Sequence, residues 1–241
     1  MKKQRKWVIV YLITFLIMIA INYISGSNIG SIANDEQAII QPAGFAFAIW
    51  GLIYILILIW LIKLFKMGTI DKEIVHRLKY LPIINFLLNS LWIIVYTQQW
   101  FLVSVIVILA LLYNICRIYV ILSDYLGYNR FPFSIYLGWT TVATIVNIFS
   151  LALNNDLKSI LGLNELTWTI FAIITATLIT YFIAISFRDW LFPLVVIWPF
   201  FGIYVENRNN YLILDITLFL VTLLLLIITV IMILKRRSNK V

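Results

Sequence analysis

Two stripes of side chains stand out as able to recognise a ligand. Asn85, Asn89, Trp92 and Tyr96 follow one another at spacings of four, three and four. Tyr136, Trp139, Ala143 and Asn147 follow at three, four and four, with Thr140 and Thr144 adjacent. Residues so spaced share one face of a helix. A third set opens the stretch Gln41–Tyr54, QPAGFAFAIWGLIY, in which Phe47, Trp50 and Tyr54 lie three and four apart. Indoles and phenols stack on flat rings, and a carboxamide both donates and accepts. An amide inside a bilayer must find a partner, so these faces point into a bundle and not at lipid. Such faces can hold helices together. They can equally line a cavity for a flat, aromatic, weakly polar ligand. The residues alone leave both readings open.

Other chemistry is poorly supplied. There is no P-loop, no dinucleotide glycine fingerprint, no HExxH and no G-x-S-x-G, so a non-enzymatic protein is expected. One cysteine, Cys116, and one histidine, His76, exclude an internal disulfide and a Cys/His metal cluster. No metal or resident cofactor is expected. Besides Lys63 near the end of its run, two charges fall within apolar stretches. Asp215 lies about one turn into the last of them. Arg117 lies roughly 8 Å from the predicted end of its helix, where it can snorkel to the interface or pair with a ligand carboxylate or another helix.

The elements that must position these stripes are apolar helices. Of 241 residues, 63% are hydrophobic and 12% charged, which describes a polytopic membrane protein of the all-α class. Apolar runs fall at about 7–24, 43–65, 80–97, 101–122, 132–152, 167–186, 190–205 and 211–234, close to the length a spanning helix needs. The first follows the basic start MKKQRK and has no clear cleavage site, so it reads as a retained helix. Pro199 should kink the seventh, which is also the shortest.

Eight spans place both ends on one side. The segments this puts inside hold fourteen of the eighteen Lys and Arg residues, against Lys158 and Arg208 outside. The asymmetry predicts cytoplasmic termini in a multi-pass protein of the cell membrane. The net charge of +8 therefore reads as orientation, with a minor attraction to anionic lipid, and no nucleic-acid partner is expected.

At this point the chain resembles a known family, the TspO/MBR proteins, also called tryptophan-rich sensory or peripheral-benzodiazepine-receptor-like proteins. Pro42-x-Gly44 followed by Trp50-Gly51-Leu52-Ile53-Tyr54 is similar to the family's proline-rich turn and W-x-x-L-Y helix. Asn89-x-x-Trp92-x-x-x-Tyr96 resembles its N-x-x-W-x-x-x-F segment. Tyr136-Leu137-Gly138-Trp139, then Ala143-Thr144 and Asn147, resembles its Y-L-x-W-x-x-x-A-T-x-x-N helix. The chain departs from the pattern in a turn one residue shorter, in lacking a Trp-Tyr pair in the first loop, in an earlier Pro132, and in the helix end LALNND, which lacks the Tyr and Arg of the sterol-binding pattern.

The resemblance covers about residues 1–154. It implies a five-helix unit there, with 155–241 as an extension of about three helices. It further implies an internal pocket for a hydrophobic planar ligand such as a tetrapyrrole, porphyrin or haem, with a receptor, sensory or transport role. Carried over residue by residue, the lining would be Phe47, Trp50, Tyr54, Asn89, Trp92, Tyr136, Trp139 and Asn147, the rings stacking and the amides hydrogen bonding. A homodimer is compatible with this picture. The alternatives are a permease for a small hydrophobic solute and a membrane scaffold whose aromatic stripes are only packing.

Overall fold

A computed structural model describes residues 2–26, 38–66, 68–125, 127–155 and 159–238. Among these the chain is almost wholly helical. The helices are α1 (Lys2–Gly26), α2 (Ile49–Leu64), α3 (Thr69–Leu78), α4 (Leu81–Thr97), α5 (Phe101–Ser123), α6 (Phe131–Asn154), α7 (Glu165–Phe187), α8 (Leu191–Asn207) and α9 (Leu212–Ser238). A 3-10 turn, Gly44–Ala48, leads directly into α2.

Every expected apolar run is a helix, but the count of eight spans is not borne out by length. Among the described residues, six helical segments are long and apolar enough to cross a membrane. They are Gln4–Gly26, Gly44–Leu64, Phe101–Ser123, Phe131–Asn154, Glu165–Phe187 and Leu212–Lys235. α4 qualifies only together with α3, from which it is bent by 58°. α8 has 17 residues, roughly 26 Å at 1.5 Å per residue, the short limit for a span.

Two expected loops contain structure. The basic stretch 63–79 holds α3, an amphipathic helix whose Ile74, Val75 and Leu78 are buried. Asp71 reaches back to accept from the Gly68 N–H at 3.0 Å and caps its first turn. Lys79, left-handed at φ 47°, ends it, and Pro82 opens α4, where a proline is tolerated. The polar stretch before α7 holds a two-stranded hairpin, β1 (Ser159–Ile160) and β2 (Leu163–Asn164). Its two turn residues, Leu161 and Gly162, are both left-handed, as a type I′ turn demands. Asn164 then caps α7 by accepting from Thr167 N–H at 2.9 Å.

Contacts group the chain into two compact units. Unit 1 comprises Met1–Asp35 and Ile49–Thr140, and unit 2 comprises Glu36–Ala48 and Thr141–Val241. The chain passes between the units three times, after Asp35, Ala48 and Thr140; α6 runs unbroken through the last of these, and the Pro42–Gly44 turn groups with α7–α9.

In unit 1, α4 packs against α1 and α5, and α3 against α1 and α5. α1 turns Val8, Tyr11, Phe15 and Met18 inward, spaced three, four and three. Tyr11 donates to the Lys79 carbonyl, Phe15 meets Phe86 edge-on at 5.5 Å, and Asn22 bonds Asn89. These pairs advance together, so α1 and α4 run parallel. Along α2 the partners recede instead, from Trp139 at Trp50 to Phe133 at Trp60 and Asn129 at Lys63, so α2 and the first half of α6 are antiparallel. In unit 2, α7, α8 and α9 pack on one another, and the 3-10 turn lies on α8.

Candidate ligand-binding site

Unit 1 gathers aromatic rings around Trp50. Tyr54, one turn along α2, stacks on it at 5.6 Å. From α4 comes Trp92 at 6.0 Å, and from α6 come Tyr136 at 5.7 Å and Trp139 at 6.3 Å, both edge-on. Trp92 continues to Tyr96 at 5.5 Å and Tyr96 to Phe101 at 5.7 Å. Ring centroids at 4.5–7 Å in tilted or edge geometry are the favourable arrangement for aromatic quadrupoles. Trp92, Tyr136 and Trp139 are buried, whereas Trp50 and Tyr54 are half-buried.

A chain of neutral hydrogen bonds backs the rings. The Tyr54 hydroxyl donates to Asn22 Oδ1 at 2.9 Å. Asn22 Nδ2 donates to Asn89 Oδ1 at 2.9 Å and to the Met18 carbonyl at 2.9 Å. Asn89 Nδ2 donates to Tyr136 Oη at 3.0 Å. Tyr136 accepts in this chain, so its own proton is left for another acceptor. One turn further along α4, Asn85 is fully buried, and neither its Nδ2 nor its Oδ1 has a partner among the described residues. The α4 face expected from the spacing is thus a buried one throughout. These are phenols, indoles and amides, groups that stack on flat rings and exchange neutral hydrogen bonds. Among the described residues no three His, Cys, Asp or Glu side chains group as metal ligands.

Six of the eight expected site residues come together here: Trp50, Tyr54, Asn89, Trp92, Tyr136 and Trp139. Phe47, half-buried in the 3-10 turn, and Asn147, buried in the second half of α6, belong to unit 2. Asn22 was missed. It is the amide of the first apolar run, and only the inward packing of Tyr11, Phe15 and Met18 shows that it continues their face. Arg117 lies on the exposed face of α5, where its guanidinium bonds Tyr113 Oη at 3.0 Å. It faces outward and does not offer a charge to the interior.

The Pro42–Gly44 turn is held by α7 and α8. The Ile39 N–H donates to Glu165 Oε1 at 2.6 Å, and Asn207 Nδ2 donates to the Ile39 carbonyl at 2.9 Å. The Ala43 N–H donates to the Gly202 carbonyl at 3.1 Å, and Trp198 Nε1 to the Ala46 carbonyl at 2.9 Å. Phe45 packs edge-on against Trp198 at 5.5 Å. Gly202 makes the approach possible, since a Cβ there would stand 2.8 Å from Pro42 Cβ and 3.1 Å from Ala46 Cβ.

Comparison with known proteins returns one family. The family model described as TSPO-like protein matches residues 7–234. The match runs well past residue 154, where the resemblance read from the motifs stopped, and takes in the C-terminal helices. No curated protein and no solved structure matches. The aromatic-and-amide faces on α2, α4 and α6 and a family match over nearly the whole chain lead to one conclusion: this helical membrane protein belongs to the TSPO-like protein family.

Proposed function

We propose that unit 1 binds a hydrophobic planar molecule, of the tetrapyrrole class that includes porphyrin and haem, against Trp50 and Trp139. The observation that carries this reading is the pairing of a ring cluster with a buried amide–phenol chain: flat apolar surface supplied beside a few fixed polar groups. The ligand is a passenger and not a resident cofactor. The protein acts as a binding or sensing component, multi-pass in the cell membrane with both termini cytoplasmic. Its partners are lipid and the small molecule, with a second copy of the chain compatible and nucleic acid not involved. In chain order all the proposed contacts lie within 1–154, and the extension 155–241 contributes α8, which holds the Pro42–Gly44 turn.

An apolar macrocycle already dissolves in lipid, so burial alone gains little. Preference for the protein has to come from stacking, about 0.5–1.5 kcal/mol per ring pair, and from hydrogen bonds of about the same size. Two of each give roughly 2–6 kcal/mol over bulk lipid and micromolar-range binding. Titration of purified protein with porphyrin, haem and a sterol, followed by indole quenching, tests it. Saturable quenching by the planar macrocycles is expected. Quenching and affinity that are the same in wild type and in a Trp50→Phe/Trp139→Phe variant would make the stripe packing and the protein a scaffold.

A further inference from the structure

One end of unit 1 is a basic belt. The Tyr11 hydroxyl bonds the carbonyl of Lys79 at the α3–α4 bend, which brings the basic start of α1 to the same end as α3. Arg5 and Lys6 lie only about 8–9 Å along the helix from Tyr11. Lys63, near the end of α2, reaches Asn129 Oδ1 at 2.7 Å, just before α6, and Arg130 lies over the Tyr119 ring at 5.9 Å.

The carboxylates at this end are already engaged. Asp71 is turned in to the Gly68 N–H, Asp124 is taken by Arg77 at 2.6 Å, and Glu73 accepts from the Tyr125 hydroxyl at 2.8 Å. Arg5, Lys6, Lys66, Lys72 and Lys79, by contrast, have no side-chain partner among the described residues. Phe65, Ile70 and Tyr80, which neighbour Lys66, Lys72 and Lys79 in the chain, are all exposed. α3 buries one face against α1 and α5 and is bent 58° away from α4, which leaves Ile70 exposed and Lys72 half-exposed.

We propose that α3 and the surrounding belt form a binding surface for anionic phospholipid, its phosphodiester headgroup held by Lys66, Lys72 and Lys79 and its acyl chains against Phe65, Ile70 and Tyr80. The unpaired cations supply charge complementarity. The apolar side chains next to them select a lipid over a free phosphate or a nucleic-acid backbone, neither of which brings acyl chains.

The test is lipid retention by native mass spectrometry. Purified protein is equilibrated with equimolar phosphatidylcholine and phosphatidylglycerol and then stripped with neutral detergent. The wild type is expected to keep phosphatidylglycerol several-fold over phosphatidylcholine, and high salt should shrink the preference. A Lys66→Gln/Lys72→Gln/Lys79→Gln variant is expected to lose it, while the corresponding triple Arg variant keeps it. Thermal melting in neutral detergent checks that both are folded, and single Lys72→Gln serves if the triple variant is not. No preference in the wild type, or one unchanged in the Gln variant, overturns the proposal. So does displacement of the lipid by excess inorganic phosphate, which would mark a site for small anions.

Discussion

Asn22 of α1 donates from its Nδ2 to Oδ1 of Asn89 on α4 at 2.9 Å, across 67 residues of sequence. The bond joins two parallel helices in the middle of an apolar bundle. Its two ends continue to phenols, Tyr54 on α2 and Tyr136 on α6, so one amide pair ties four helices. Lipid tails are as apolar as leucine, which leaves packing and such bonds to set the arrangement of helices.

Removing Asn89 should cost more than removing Asn22's outer partner. Asn89→Leu loses the bonds to both Asn22 and Tyr136 at a fully buried position, while Asn22 keeps its bonds to Met18 and Tyr54, for an expected loss of about 1–2 kcal/mol. Tyr54→Phe removes one bond at a half-buried site and should cost about 0.6 kcal/mol or less. Reversible unfolding in mixed micelles reads both. A double-mutant cycle of Asn22→Leu with Asn89→Leu should show coupling, and additive losses would mean that the pair does not act as one joint.

Gly202→Ala and Gly51→Ala should behave oppositely. The first sets a methyl 2.8 Å from Pro42 Cβ, and overpacking of that kind costs about 1–3 kcal/mol. The second adds a methyl where nothing lies within 4 Å, and within a helix alanine gains about 0.5–1 kcal/mol over glycine. Melting temperatures in detergent should move down for Gly202→Ala and stay or rise for Gly51→Ala.

Binding of porphyrin should fall when a cluster ring is trimmed and not when a surface ring is. Loss of one stacking contact of about 0.5–1.5 kcal/mol predicts an affinity about two- to tenfold weaker for Trp139→Phe. Trp100, 61% exposed, is the control: Trp100→Phe should leave the affinity as it was. A wild-type melting temperature should hold in both.

Orientation is read by labelling. In a Cys116→Ser background, cysteine at Gln98, at the C-terminal end of α4, should react with a membrane-impermeant maleimide on intact cells. Cysteine at Lys72 or Ser238 should react only after permeabilisation. Outside reaction at Ser238 would reverse the expected topology.

The stripes on α2, α4 and α6 were legible because indoles, phenols and amides mark an inward face wherever they recur at helical spacing in an apolar run. Asn22 was not, because a lone amide near the end of a run reads as an interfacial residue. α3 was hidden for a different reason. Its charges dominate the stretch 63–79, and three apolar residues, Ile74, Val75 and Leu78, are too few to outweigh them as a periodic signal. The seating of Pro42 on Gly202 joins positions 160 residues apart, and nothing local to either announces the other. Packing groups the Pro42–Gly44 turn with α8 and leaves α6 continuous.

The chain Tyr54–Asn22–Asn89–Tyr136 also has an electrical consequence. Moving one elementary charge through the membrane field is worth about 2.3 kcal/mol per 100 mV, but phenols and amides carry no net charge to move. A rearrangement of this layer is therefore voltage-silent. If a ligand is released from the bundle by breaking these bonds, the membrane potential acts only on whatever charge the ligand itself carries.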